Sequence, residues 1–224
     1  VGSPTVYRGD RLPRDLYGNV FLAEPSGNLV SRVILNDDGT TLRAKRAYER
    51  AEFLASTDER FRPVWLSAAP DGTLYVVDMY RGIIQYIDLV TKYLNDWIVK
   101  HDLQQGIHYG RIYRVVHDTT RRDRAPALGT ASPATLVATL SHPNGWWRDA
   151  AQQLLVQRHD LSVVPSLKQL ANTAPLPRTR IQALWTLDGL DAIDQATVIS
   201  ALDNPSRDVQ VSALRISERW LGDQ

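Results

Sequence analysis

A succession of strand, turn and strand occurs twice in the first half of the chain, and this recurrence limits the possible folds more than any other feature. Gly18–Leu35 and Gly72–Ile87 share one order: a glycine, an apolar strand, an acidic residue, a turn and a second apolar strand. Self-similarity at the length of one supersecondary unit is typical of repeated architectures. The pattern therefore predicts successive antiparallel sheets built as meanders.

Strands are predicted where short runs rich in Val, Ile, Leu and Tyr lie between Pro, Asp, Asn and Gly, which favour turns. The predicted strands cover residues 17–24, 28–35, 41–48, 64–68, 73–78, 83–87 and 110–116. An amphipathic helix is predicted over 90–103, and an irregular segment over 1–13. Because a propeller blade has four strands, residues 1–118 correspond to about two blades with an inserted helix.

From Pro133 onward the apolar residues recur at helical spacing. Six helices are predicted, over 133–141, 146–158, 162–173, 178–188, 194–202 and 207–221. The second helices of successive pairs align at intervals of about 30 residues, and Ala151, Ala183 and Ala213 then coincide where helices must approach closely. This indicates a HEAT-like α-solenoid over 133–224. Residues 119–132 are rich in charged, small and turn-forming residues, which predicts a linker.

Composition and charge exclude several classes of function. A net charge of +1 predicts binding to neither nucleic acid nor an anionic membrane, and no apolar run reaches the length of a membrane span. The absence of cysteine excludes disulfides, thiolate metal sites and covalently attached haem within this chain. The five histidines do not form a metal-binding pair with a nearby carboxylate, so no metal site is predicted. Neither a phosphate-binding loop nor a Ser-His-Asp set is found.

Two arginines separated by one residue are the candidate binding groups. Arg60 and Arg62 immediately precede the predicted strand 64–68, and residues two apart in an extended segment point to the same face. Guanidinium groups bind carboxylates through paired, charge-assisted hydrogen bonds. An alternative remains open from the residues alone: both arginines are surface residues paired with Asp58, Glu59 or Asp78.

Several motifs carry a resemblance to known proteins. YRGDRLP, GNVFLAEP, FLASTDERFRPV, DGTLYVVDMYRGIIQ, GRIYRV and HPNGWWRDAAQQLL follow one another between Tyr7 and Leu155. In this order they resemble bacterial sorbosone-dehydrogenase-like and membrane-bound-dehydrogenase-like proteins. The string ERFRPVWLSAAPDGTLYVVD also resembles the cofactor-site strand of PQQ-dependent soluble sugar dehydrogenases, which are six-bladed propellers. Arg60 and Arg62 occupy the positions of two arginines that bind the quinone in that family.

The resemblance implies the C-terminal part of a PQQ-dependent sugar or aldehyde dehydrogenase of the periplasm or extracellular space. The missing N-terminal blades would then supply the catalytic histidine, calcium and most PQQ contacts, and a c-type cytochrome or another protein is an implied partner. This chain would contain no catalytic residue, and as a fragment it would be inactive and bind no PQQ. The turn Pro25–Asn28 lacks the lysine that the family places there. The alternative is a non-enzymatic propeller-plus-HEAT scaffold that binds protein or polysaccharide.

Overall fold

The structure is a computed structural model that describes residues 2–121 and 125–221. The chain divides into two compact units, Val1–Arg124 and Ala125–Gln224. The first unit contains two antiparallel sheets and one helix, and the second is helical. The chain is therefore a multidomain protein that combines sheets and helices. Within the described ranges, no helix is both long enough and apolar enough to span a membrane.

The first sheet is an antiparallel meander. Its strands, in spatial order, are β1 Pro4–Val6, β2 Val20–Glu24, β3 Leu29–Asp37 and β4 Leu42–Arg46, and the short β5 Leu54–Ala55 pairs with the beginning of β3. Asn28 adopts a φ of 56° in the turn between β2 and β3, a conformation that asparagine tolerates better than most residues. At the next turn, Asp38 accepts hydrogen bonds from the backbone N–H groups of Thr40 and Thr41, which supports the plain hairpin predicted there.

The second sheet has the strand order β6, β7, β8, with β6 Pro63–Ala68, β7 Leu74–Asp78 and β8 Arg111–Val115. The turn between β6 and β7 requires a glycine: Gly72 has a φ of 78°, and a Cβ atom there would lie 2.3 Å from Cγ of Arg11. Between β7 and β8 the chain forms a 3₁₀ turn, Ile87–Leu89, and helix α1, Lys92–Lys100. The side chain of Thr91 caps α1 by accepting a hydrogen bond from the N–H of Leu94.

The core of the first unit lies between the two sheets. Alternate residues of β2 and β7 are buried, as expected for strands with one face on a core. The fully buried side chains come from both sheets and include Tyr7, Phe21, Val30, Leu66, Leu74 and Val76. The hydroxyl of Tyr7 donates a hydrogen bond of 2.5 Å to the carbonyl of Gly72 and accepts one from the N–H of Leu12. Burial raises the pKa of Tyr7.

The structure differs from the sequence-based predictions at several places in this unit, including the short unpredicted strand β5. Residues 4–6, predicted to be irregular, form β1 and pair with β2. The strand predicted over 83–87 is wrong, because those residues form a loop that leads into the 3₁₀ turn. The carbonyls of Arg81 and Gly82 accept hydrogen bonds from the buried guanidinium of Arg62. The guanidinium of Arg62 therefore occupies two backbone acceptors immediately before the predicted strand.

The second unit consists of helices joined by short turns. They are α2 Pro133–Thr139, α3 Gly145–Arg158, α4 Val164–Thr173, α5 Pro177–Gly189, α6 Gln195–Leu202 and α7 Arg207–Ser217. All begin within two residues of the predicted positions. Local sequence explains this agreement, because Ser132, Asn144 and Asp194 each accept a hydrogen bond from an N–H of the first turn. Proline occupies the first turn of α2 and α5, where its missing N–H costs nothing.

Equivalent residues of α3, α5 and α7 play equivalent roles in the helical core. Ala151, Ala183 and Ala213 are all 0% exposed, as expected for small residues at close helix contacts. Arg148 donates to the carbonyls of His142 and Pro143, at 2.6 and 2.8 Å. Arg180 makes the same kind of bond to the carbonyl six residues before it, at 2.6 Å. An arginine at one repeat position thus satisfies the carbonyls of the preceding turn.

Part of the predicted linker 119–132 belongs to the helical unit. Residues Leu128–Thr130 form a 3₁₀ turn, and Leu128 is buried in the helical core. Arg158 donates hydrogen bonds to the carbonyls of Leu128, Gly129 and Ala131. The ordered helical unit therefore begins before α2. Residues 122–124 of the predicted linker and 222–224 of the predicted solenoid lie outside the described residues.

Candidate functional site

Arg60 lies in the turn that precedes β6, where the carboxylate of Asp58 accepts a hydrogen bond of 2.9 Å from its backbone N–H. One terminal nitrogen of its guanidinium donates to the carbonyl of Asp102 at 2.8 Å and makes a longer contact, 3.5 Å, with that of His101. Within the described part of the chain, its guanidinium forms no ion pair with a carboxylate. Its remaining N–H donors are therefore available to an added acceptor.

Arg62 has a different environment, because it is only 8% exposed and its guanidinium binds backbone carbonyls. Nε donates to the carbonyl of Arg81 at 2.9 Å, Nη1 to that of Pro25 at 2.7 Å, and Nη2 to that of Gly82 at 2.8 Å. Burial lowers the pKa of Arg62. The side chain thus connects the β2–β3 turn to the loop after β7.

The two arginines lie in different surroundings. Both precede β6, which begins at Pro63. They do not present a shared face, because Arg60 binds the carbonyls that follow α1 whereas Arg62 binds those of two other loops. The surface alternative does not describe Arg62, which is buried, and among the described residues both guanidinium groups hydrogen-bond to backbone carbonyls, not to Asp58, Glu59 or Asp78.

The structure instead brings Arg60 together with Arg111. Both line a cavity of about 380 Å³, with Tyr80, Gly106 and Tyr109 as the other lining residues. The guanidinium carbon of Arg111 lies 3.7 Å from the ring centroid of Tyr80, a close cation–π contact. Nε of Arg111 donates to the carbonyl of Tyr109 at 3.2 Å. A hydrogen bond with the hydroxyl of Tyr113 raises the pKa of Arg111.

Hydrogen bonds hold both the backbone and the side-chain hydroxyl of Tyr80. Its backbone has a φ of 49°, which is uncommon for an aromatic residue, and its N–H donates to the carboxylate of Asp78 at 2.8 Å. Its hydroxyl donates to Asp58 at 2.9 Å, and this bond raises the pKa of Tyr80. On the opposite wall Gly106 has a φ of 82°, and a Cβ atom there would contact the side chain of Arg60 at 3.4 Å.

Glu59 fixes helix α1 beside the cavity. Its two carboxylate oxygens accept hydrogen bonds from Nε1 of Trp97, at 3.0 Å, and bind Nδ1 of His101, at 2.9 Å. The bond from Trp97 is the main cause of a lowered pKa for Glu59. Because the carbonyl of His101 also faces Arg60, the position of α1 and the position of this arginine are coupled.

The lining residues define the chemistry of the site. Two guanidinium groups that form no ion pair with a carboxylate of the described residues, together with two tyrosines, favour a planar ligand that carries negative charge. Sequence reasoning identified only Arg60 of these residues. Arg111 belongs to the motif GRIYRV, which predicted a strand and contributed to the resemblance but indicated no binding residue.

Among the residues that the structure describes, no group of three His, Asp or Glu side chains could hold a metal ion. Pro25–Asn28 contains no lysine, and the carbonyl of Pro25 instead accepts a hydrogen bond from Arg62.

Comparison with known proteins gives one match. Residues 1–119 match the model of a family described as "Domain of unknown function (DUF7133)". No curated protein and no solved structure matches the chain.

Proposed function

Since the chain belongs to the family described as a domain of unknown function (DUF7133), we propose a function from its own residues: the first unit binds a planar, multiply charged carboxylate in the Arg60–Arg111 cavity. The observation that carries this proposal is that two arginines line one cavity and have no carboxylate partner in the part of the chain that the structure describes, with the ring of Tyr80 beneath one of them. Stacking on a guanidinium–tyrosine pair suits a flat ring, and paired N–H donors suit carboxylates.

The ligand that fits this chemistry, and that the sequence resemblance implies, is PQQ, a fused aromatic quinone with three carboxylates. Arg60 and Arg111 would bind its carboxylates and Tyr80 would position Arg111. Arg62 would act indirectly, because its bonds to three carbonyls hold the loops around the site. When bound, PQQ supplies a quinone that accepts a hydride from an alcohol or aldehyde.

The larger assembly follows from the same proposal. The two face-to-face antiparallel sheets would be two blades of a six-bladed propeller, and the helix pairs would be a HEAT-like solenoid. Four earlier blades, with the catalytic histidine and calcium, would lie elsewhere in a longer PQQ-dependent sugar or aldehyde dehydrogenase of the periplasm or extracellular space. A c-type cytochrome or another protein would accept the electrons. The present chain alone would be inactive.

The test is a PQQ titration of the complete polypeptide with calcium, followed by absorption. Arg60→Gln and Arg111→Gln should each weaken binding by about tenfold or more, which corresponds to about 1.4 kcal/mol. Arg50→Gln, which changes an exposed arginine outside the cavity, is the matched control and should leave affinity unchanged. Equal affinity in all three variants would contradict the proposed site.

A second candidate function is a non-enzymatic scaffold that binds a protein or a polysaccharide. The observation in its favour is that Arg62, one of the two expected cofactor ligands, is engaged by backbone carbonyls, while the expected turn lysine is absent. Under this alternative the complete polypeptide would bind no PQQ, but its melting temperature would rise with a polysaccharide from a defined panel. PQQ binding that depends on Arg60 and Arg111 would exclude it.

A further inference from the structure

A second cavity lies at the other end of β8 from Arg111. Its volume is about 650 Å³, within the range typical of small-molecule sites. The segment from Asp10 to Arg14 forms one wall, and His117 with Thr119, Thr120 and Arg121 forms the other. Because the two cavities lie at opposite ends of one strand, this site is separate from the proposed carboxylate site.

The lining of the second cavity carries an excess of positive charge. Arg11 pairs with Asp10 at 3.7 Å, and Asp10 is the only acidic residue among the described lining residues. Arg14 and Arg121 form no ion pair or side-chain hydrogen bond within the described part of the chain, and both are exposed. Two guanidinium groups that face one cavity without a carboxylate partner are suited to an oxyanion.

One wall is held by buried contacts. The N–H of Arg11 donates to the carbonyl of Gly72 at 3.1 Å, and the N–H of Leu12 donates to the buried hydroxyl of Tyr7 at 2.9 Å. Pro13 then fixes the chain direction before the 3₁₀ turn that begins at Arg14. The backbone beneath Arg14 is therefore pre-organised, which lowers the entropic cost of binding.

The other wall supplies neutral donors. Nδ1 of His117 accepts a hydrogen bond from the N–H of Thr119, at 3.4 Å, and lies 2.8 Å from its hydroxyl. With Nδ1 as the acceptor, the neutral ring carries its proton on Nε2, which is then a donor. The N–H of Thr120 donates to the carbonyl of His117 at 3.0 Å, which closes the turn. The turn thus contributes Nε2 of His117 and the hydroxyl of Thr120 as donors beside Arg121.

We propose that this cavity binds the phosphate or sulfate group of a small molecule, with Arg14 and Arg121 as the principal ligands. The terminal oxygens of such a group can accept paired hydrogen bonds from each of the two guanidinium groups and, through their remaining lone pairs, hydrogen bonds from the neutral donors of the turn. The volume exceeds what a bare oxyanion fills, so the cavity has room for the rest of an ester. The binding is independent of PQQ and of the proposed dehydrogenase activity.

The experiment uses the 224-residue chain and follows its backbone amide chemical shifts during titration with inorganic phosphate or with inorganic sulfate. A titration with chloride at matched ionic strength is the control. Saturable shifts should appear at residues 11–14 and 117–121. The double variant Arg14→Gln/Arg121→Gln should weaken binding by at least about tenfold. The control Arg50→Gln/Arg215→Gln has the same net charge and changes two exposed arginines outside the cavity, so it should bind like the wild type.

Titrations with glucose 6-phosphate, glucose 6-sulfate and glucose then distinguish a phosphate ester from a sulfate ester as the ligand. Tighter binding of one ester than of its inorganic ion supports the proposal and identifies the group, and glucose itself should not bind. The proposal is overturned by shifts that chloride reproduces, by equal weakening in both double variants, or by unaltered binding in Arg14→Gln/Arg121→Gln. Arg14 and Arg121 are both exposed, so we expect the double variant to fold. An unchanged dispersion of its amide chemical shifts will show that it does.

Discussion

The carboxylate of Asp78 accepts a hydrogen bond of 2.8 Å from the backbone N–H of Arg62, and the same oxygen accepts another of 2.8 Å from the N–H of Tyr80. Asp78 ends β7 and is 1% exposed. One buried oxygen therefore fixes both the segment that carries Arg62 and the residue that lies under Arg111. The positions of the cavity residues depend on this carboxylate.

The first prediction concerns Asp78. Asp78→Ala leaves two backbone N–H groups without their acceptor and should lower the free energy of unfolding of the first unit by about 2 to 4 kcal/mol. Asp78→Asn keeps an acceptor oxygen and should cost less. Asp88→Ala, in an exposed turn, is the control, and urea unfolding is the measurement. A loss for Asp78→Ala no larger than that for Asp88→Ala would show that these bonds contribute little.

The second prediction compares the two arginines of the sequence hypothesis. Arg62→Ala removes the donors of three carbonyls and should lower the free energy of unfolding by about 3 kcal/mol or more. Arg60→Ala removes one short bond from a partly exposed side chain and should cost about 1 kcal/mol or less. A purely ligand-binding role for Arg62 requires the opposite, an almost unchanged melting temperature. Thermal denaturation of both variants decides whether Arg62 has a structural role or only a ligand-binding one.

The third prediction concerns the ion pair between Lys168 and Asp194, which joins α4 to the beginning of α6. The bond from Lys168, with those from Thr197, lowers the pKa of Asp194 from 3.8 to about 2. Since the folded-state pKa is below the unfolded one, the stabilisation is complete above about pH 4 and is lost as the pH falls toward 2. The loss of stability between these values should be smaller in Asp194→Ala than in the wild type.

Variants at the same site separate the two roles of Asp194. Asp194→Ala removes both the cap and the ion pair and should cost about 1 to 2 kcal/mol at pH 7. Asp194→Ser keeps a capping oxygen, and Lys168→Met removes only the ion pair, so each should cost about 0.5 kcal/mol, since both side chains are partly exposed. Chemical denaturation measures all three. An equal loss of unfolding free energy in Asp194→Ala and Asp194→Ser would show that the cap contributes nothing.

The fourth prediction concerns the independence of the units. Residues 125–224 should give a cooperative helical melt, because each helix pair packs on its neighbour. Residues 133–224 lack the buried Leu128 and the three carbonyls that Arg158 binds, and should melt at a lower temperature. Residues 1–121 should aggregate or pair with another chain, since their sheets end in open edges. The interpretation fails if 1–121 folds as a stable monomer while 125–224 does not.

The helical unit could be predicted almost residue by residue, because its signals are local. Periodic apolar residues, the caps Ser132, Asn144 and Asp194, and the prolines of α2 and α5 all act within one helical turn. The strands β2, β3, β6, β7 and β8 were also predicted from local composition and turn residues. The sequence also determined that this chain, which has no cysteine, contains neither a disulfide nor a thiolate metal site.

Only the tertiary structure decided which residues form the candidate site. Arg60 and Arg62 are close in sequence, yet their guanidinium groups bind carbonyls from different loops, whereas Arg111 joins Arg60 from the far side of the α1 insertion. The bonds from Arg62 also hold residues 81 and 82 in a loop immediately before the predicted strand 83–87. A buried guanidinium requires several acceptors, and which carbonyls supply them depends on how distant loops pack, which no local pattern records.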